Sequence, residues 1–177
     1  MPRELKRFHH SSQSHFITFS CHRRQQFLTT PAACELFLVC LEEMRRRFDL
    51  SIYGYVIMPE HVHLLVSEPT QLTIADAVHF LKLSFTKHHK ARGSFWQKRY
   101  YDRNVRSARE FRVKLRYVHR NPMTRGLVKN AADWEWSSFR RYAFREMDVV
   151  EIDSEWTARD REIKNGTSRP GIFLRPG

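Results

Sequence analysis

The chain has 177 residues, 41% of them hydrophobic, including 13 Phe, 6 Tyr and 4 Trp. That is enough apolar material for one compact domain with a real core, which excludes a globally disordered chain, and no apolar run approaches the roughly 20 residues that span a bilayer. Lys and Arg outnumber Asp and Glu by 31 to 19, a formal net charge of +12. The imbalance is local: between Lys82 and Arg125, fourteen basic residues stand against Asp102 and Glu110 alone, and the remainder is close to neutral.

A basic quarter interleaved with Phe95, Trp96, Tyr100 and Tyr101 favours a polyanion whose bases can stack over an acidic lipid surface or a mere aid to solubility. The N-terminal MPRELKRFHHSSQ is basic but no apolar stretch follows it, so it does not read as a secretion signal and cytoplasmic residence is expected. Cys21, Cys34 and Cys40 lack the number and spacing of a disulfide framework or zinc knuckle and read as small buried hydrophobes.

In chain order, His15–Cys21 (HFITFSC) is a strand by its aromatic and β-branched content. Thr30 then caps a helix with Pro31 at its first position; Leu36, Phe37, Cys40, Leu41 and Met44 form the apolar stripe, and Arg45, Arg46 and Arg47 suit its C-terminal dipole. Ser51–Met58 and His61–Ser67 are two strands joined by Pro59-Glu60, too short for a crossover, so they pair as an antiparallel hairpin. Thr73 opens a helix with Ile74, Ala77, Val78, Leu81 and Phe85 inward; Lys82, Lys87 and Lys90 extend toward solvent, and Arg92-Gly93 ends the element.

Phe95–Tyr101 (FWQKRYY) is the expected fourth, aromatic strand. Ser107 and Glu110 form a capping box for a helix whose Ala108, Phe111, Leu115 and Val118 face the core, with Asn121-Pro122 ending or kinking it. Trp134, Trp136, Phe139 and Tyr142 make a further apolar segment, read as a short helix. The order β-α-β-β-α-β-α is the α+β, ferredoxin-like arrangement of an antiparallel sheet with one helix added. The expected organisation is a domain over residues 1–147 and a tail over 148–177 that turns acidic and then Gly/Pro-rich.

Two features carry chemistry. His61 and His63 are two apart on a strand, so both imidazoles project from one face and can chelate a divalent ion. An isolated pair of this kind is more often two unrelated strand histidines. Stepping 100° per residue from the core direction puts Tyr117 about 140° away, off the packed face, with Asn121 one turn later on the same side. His119, about 60° from the core direction, reads as a packing residue.

The segments VIMPEHVHLLV, FWQKRYYDRNV, YVHRNPMTRGLV and WEWSSFRRY, with HFITFSCHRRQQF near the start, together resemble the Y1 HUH transposases of the IS200/IS605 type, most closely the REP-associated tyrosine transposases, over roughly residues 13–145. The resemblance implies a tyrosine nucleophile at Tyr117 and metal ligands at His61, His63 and Asn121; insertion-sequence relatives usually carry Gln where this chain has Asn121. It implies cleavage and strand transfer of single-stranded DNA through a 5′-phosphotyrosine, with Mg²⁺ or Mn²⁺, on a repetitive extragenic palindrome folded as a hairpin. It also implies a place beside the bacterial nucleoid; insertion-sequence relatives are dimers, the REP-associated branch can act as a monomer, and the short linker Asp102–Arg106 favours a monomer over a homodimer. Candidate DNA contacts are His22, Arg23, Arg24, Lys82, Lys87, Arg92, Lys98, Arg99, Lys114 and Arg120, with Trp96 read either as a base-stacking ring or as a core residue. A non-catalytic nucleic-acid-binding module and a water-using metal nuclease are the competing expectations.

Overall fold

The computed structural model describes residues 14–154. Four strands, β1 (Ser14–Ser20), β2 (Ile52–Ile57), β3 (His61–Ser67) and β4 (Tyr101–Val105), form one antiparallel sheet in the order β2-β3-β1-β4. The four helices are α1 (Pro31–Arg47), α2 (Ile74–His89), α3 (Ala108–Thr124) and α4 (Phe139–Phe144). This is the expected ferredoxin-like arrangement with a helix added.

Strand side chains alternate between faces, and the sheet uses that alternation to separate two environments. Ile17, Phe19, Val62, Leu64, Val66, Ile52, Tyr55 and Ile57 join one large buried cluster with Phe37, Leu41 and Met44 of α1 and Val78, Leu81 and Phe85 of α2. Phe16, Tyr53, Val56, Leu65 and Val105 form a smaller cluster on the opposite face with Phe111 and Val118 of α3. Gly54 permits that second packing. A Cβ there would lie 2.6 Å from Leu115 Cδ1 and 3.3 Å from Ser138 Oγ.

Helix starts follow from local chemistry. Thr30 Oγ1 accepts from the Ala33 N–H, with Pro31 in the first turn. Thr73 and Asp76 make a full reciprocal capping box for α2. At α3 the box is only half formed: Ser107 Oγ accepts from Glu110 N, but the Glu110 carboxylate goes to Arg106 N and to the Arg103 guanidinium instead. A left-handed Lys90, φ 54°, stops α2 before Arg92-Gly93.

Several expectations need correction. The fourth strand is Tyr101–Val105, not Phe95–Tyr101. Phe95 and Trp96 are aromatic because they fill the large core, where Trp96 packs against Phe19, Phe37 and Phe85, and only a single bridge to Cys21 is strand-like. Helix α3 continues two residues past Pro122. Trp134 and Trp136 precede α4 in an extended segment that pairs with the β2 edge: Trp136 O accepts from Ile57 N, and Trp134 Nε1 donates to Ile57 O. The expected tail is no correction: its first residues, 148–154, lie on the domain, with Val150 and Ile152 buried, Ile152 bridging Ile52 and the Tyr55 hydroxyl donating to Asp148. The rest of it lies outside the described residues.

Candidate active site

The sheet register fixes the first half of the site. His61 and His63 alternate with the core residues Val62 and Leu64, so both rings emerge on the α3 face, opposite Ser20 and Thr18 of β1. Both are buried, and their Nε2 atoms face one another at 3.0 Å. Each Nδ1 is tied back: His61 Nδ1 donates to Glu60 Oε1 at 3.0 Å, and His63 Nδ1 lies 2.7 Å from Thr18 Oγ1. A carboxylate can only accept, so His61 carries its proton on Nδ1 and leaves Nε2 bare. The Thr18 hydroxyl both donates and accepts, so His63 can take either tautomer. With its proton on Nε2 it donates to His61; with its proton on Nδ1 it presents a second bare nitrogen.

Electrostatics keep the pair neutral. Burial lowers His61, an effect that Glu60 partly offsets, and burial with neighbouring His61 and Lys114 holds His63 down to about 3. Glu60 itself is pushed up by burial, but His61 and Arg125 more than reverse this and leave its carboxyl below the usual range. Neutral imidazoles are what a cation requires. Two nitrogens bound at about 2.1 Å and at right angles to one another sit about 3.0 Å apart, which matches the observed spacing. No group of three His, Cys, Asp or Glu residues suited to a metal occurs among the described residues, so a third protein ligand would come from an amide or hydroxyl.

Helix α3 brings the second half. Tyr117 is 48% exposed, as its off-core angle predicts, and its ring lies 5.3 Å from that of His63 and 5.9 Å from that of Phe16. Phe16 stacks on His63 at 5.3 Å, so the three rings form a triangle, and Lys114 Nζ sits 4.5 Å above the Phe16 ring. One turn beyond Tyr117 is Asn121, which is buried. A further turn on is Arg125, whose guanidinium donates to Glu60 at 2.7 Å. Residues spaced by four share a helix face. Asn121 is thus bracketed by one residue that touches His63 and another that grips the carboxylate holding His61. His119 points elsewhere, to Ser138 Oγ at 2.8 Å and the rings of Phe139 and Tyr142, as a packing residue should.

The candidate DNA contacts divide. His22, Arg23 and Arg24 form a turn at the end of β1, with Arg23 and Arg24 both at positive φ; Arg23 is exposed, while Arg24 reaches Ser20 and Glu60 at 3.4 Å. Lys98 and Arg99 are exposed at the same end of the sheet, because Gln97 N donates to Ser20 O and His22 N to Phe95 O. Arg120 is exposed on the site helix and Lys114 half-buried beside Tyr117. Lys87 and Arg92 are exposed near the end of α2, on the other side of the sheet. Lys82 does not extend to solvent: it is half-buried, donates to Gln97 O at 2.9 Å, and burial lowers its pKa. Trp96 is closed into the core, which leaves it no face for a base.

Sequence reasoning missed Glu60, Thr18 and Arg125. Glu60 adjoins His61 in the motif, and Arg125 lies two turns beyond Tyr117, so both had a signal in local spacing. Thr18 reaches His63 only through the β1–β3 register, which local pattern does not reveal.

The geometry agrees with similarities to known proteins. A REP-associated tyrosine transposase of Escherichia coli (strain K12) is 27% identical over 140 residues, which cover 78% of this chain and 83% of that protein. A solved REP-associated tyrosine transposase bound to a REP hairpin shares the fold, with a TM-score of 0.67 and 24% identity over 81% of this chain and 87% of that one. The family model described as transposase IS200 like matches residues 9–121. A transposase family defined across most of this domain, sheet and tyrosine helix included, is therefore the one to which the chain belongs: the IS200-like transposases.

Proposed function

We propose that this enzyme cuts and rejoins single-stranded DNA through a covalent bond between Tyr117 and a 5′-phosphate, on a substrate carrying a REP-type hairpin. The observation that carries the reading is the Tyr117 ring at 5.3 Å from His63, whose Nε2 faces that of His61 at 3.0 Å. A phenol and a pair of neutral imidazoles thus lie side by side, which supports roles as nucleophile and metal ligands.

His61, His63 and Asn121 would hold Mg²⁺ or Mn²⁺; imidazoles bias intrinsic affinity toward the transition metal, while an amide oxygen suits either ion. When bound, the ion supplies charge neutralisation at a non-bridging phosphate oxygen and at the departing 3′ oxygen. The protein's own contribution is placement. Phe16 buttresses both His63 and Tyr117, and Lys114 adds positive charge at the phenol. In the first step Tyr117 Oη, losing its proton, bonds to phosphorus while the bond from phosphorus to the 3′ oxygen breaks; that oxygen leaves as a hydroxyl after gaining a proton. A second 3′-hydroxyl attacking the phosphotyrosine reverses the step and joins strands without ATP, because the phosphodiester energy is conserved. Because α3 lies against its own chain's histidines, one monomer would be able to supply both halves of the site.

The test is a hairpin oligonucleotide with a single-stranded 5′ extension, incubated with Mn²⁺ or Mg²⁺ and resolved under denaturing conditions. Wild type should give a protein–DNA adduct that Tyr117→Phe abolishes. Cleavage to free 5′-phosphate that survives Tyr117→Phe would instead establish a water-using nuclease, and tight binding with no cleavage a binding module.

A further inference from the structure

Outward from His63 the α3 face of the sheet continues through β1 to the β4 edge. Thr18, which touches His63, is in register with Tyr101, and Phe16, which stacks on His63, with Arg103. Tyr101 is 53% exposed, an unusual position for a tyrosine in a sheet. It stands two strand spacings, about 10 Å, from the histidine strand. Its neighbour on the same face is Arg103, whose guanidinium donates to Glu110 at 2.6 Å. Beside it, the first turns of α3 and the end of β4 enclose a shallow depression of about 350 Å³ lined by Arg103, Ser107, Arg109, Glu110, Val113 and Lys114. Three cations against one carboxylate give this depression a net positive lining.

We infer that this β4–α3 surface seats the DNA strand flanking the scissile phosphate, with one base stacked on Tyr101 and a backbone phosphate held in the basic depression by Arg109 and Lys114. The inference rests on the single-strand reading above and adds to it a place on the protein for the neighbouring nucleotide. Each component has a physical reason. A ring that is half exposed on the open face of an edge strand keeps a face for stacking, and every base has a face to offer. Arg109 is exposed and Lys114 half-buried, so both can meet a phosphate that Arg103, already bound to Glu110, need not reach. The spacing also suits a strand that continues from the histidine pair without turning back. Trp96 was the aromatic candidate for stacking in the sequence, and Tyr101 takes over that role because it lies on the open side of the sheet.

The experiment uses the full chain and the same hairpin oligonucleotide, with 2-aminopurine placed in turn at each position of its single-stranded extension. Wild type should quench one position, Tyr101→Phe should keep that quench because the ring remains, and Tyr101→Ala should lose it. Tyr101→Ala should weaken binding by about 5- to 150-fold, the range for one base–aromatic stack. Arg109→Ala should lower the salt dependence of binding by about one counterion. If wild type forms the adduct, yet no quench depends on residue 101 and affinity is unchanged in Tyr101→Ala, the inference is overturned while the catalytic reading stands. Equal loss in Tyr101→Phe and Tyr101→Ala overturns the stacking role as well. Absence of any wild-type adduct counts against the catalytic reading instead.

Discussion

The two faces of the sheet answer different demands. Under α1 and α2 the inward positions of the central strands are apolar, and aromatic rings from β1, α1, α2 and the following loop interlock: Phe19, Phe37, Phe85, Phe95 and Trp96. Under α3 the small core of Phe16, Val56, Leu65, Phe111 and Val118 gives way, within the same strands, to Thr18, Ser20, His61 and His63. A strand that alternates strictly can therefore be clamped from one side and chemically active on the other. The rigid face sets the register; the register places two imidazoles within 3.0 Å.

The sharpest way to break this comparison is to damage one face and read the other. Phe37 is fully buried among rings on the α1–α2 face, so Phe37→Ala should destabilise the protein by about 3–5 kcal/mol, the range for a buried phenylalanine. Urea unfolding measures it. Below the transition the remaining folded protein should still form the Tyr117 adduct. Tyr117→Phe should do the reverse, abolishing the adduct with unfolding nearly unchanged, because the side chain is half exposed and loses only a hydroxyl.

A smaller and more selective effect is expected on the α3 face itself. Glu60 is buried and accepts from His61 Nδ1, Arg24 and Arg125. It holds the His61 tautomer and fastens the end of the tyrosine helix to the histidine strand, so it is a positioning residue. Glu60→Gln keeps an oxygen acceptor but loses the charge. Mn²⁺ affinity should fall by about 10- to 100-fold, the usual cost of losing such a partner. Nitrogen NMR of the imidazoles should show His61 losing its pure Nδ1–H form. Unchanged Mn²⁺ affinity together with an unchanged tautomer would reduce Glu60 to a structural bridge.

How far the sequence reveals this depends on which interaction sets each feature. Helix starts were legible because a cap is local: Thr30 with Pro31, and Thr73. So was β3, where the alternation of HVHLLVS fixed both the strand and the shared direction of its histidines. The off-core angle of Tyr117 followed from Phe111 and Leu115 alone. The fourth strand was misplaced because aromatic density marks burial as well as strand: FW fills the core, while YDRNV is an edge strand with four exposed residues, held by its ladder to β1 rather than by side-chain hydrophobicity. Lys82 was misjudged for a similar reason, since its acceptor, Gln97 O, lies in the displaced loop.

The finest contrast is one of protonation within the α3 face, and it isolates α3 packing from the paired histidines. His119 is buried beneath α3 beside Ser138, and burial holds it at about 4 against an ordinary value near 6.5. Below about 6.5 the unfolded chain takes up a proton that the folded protein refuses until about 4. Its neutral form therefore contributes fully above that window, and the contribution is lost as pH falls through it, by at most about 1.4 kcal/mol per pH unit for one proton. Glu42 and Glu60, held low by their partners, and the paired histidines act in the same direction, while Asp148, raised by burial, acts in the opposite one, so the absolute slope is not diagnostic. The difference between wild type and His119→Gln is: urea midpoints measured from about pH 7 down to about pH 5 should fall more steeply for wild type. Parallel curves would mean that His119 protonates equally in both states and that the helix bearing Tyr117 is held to the sheet without it.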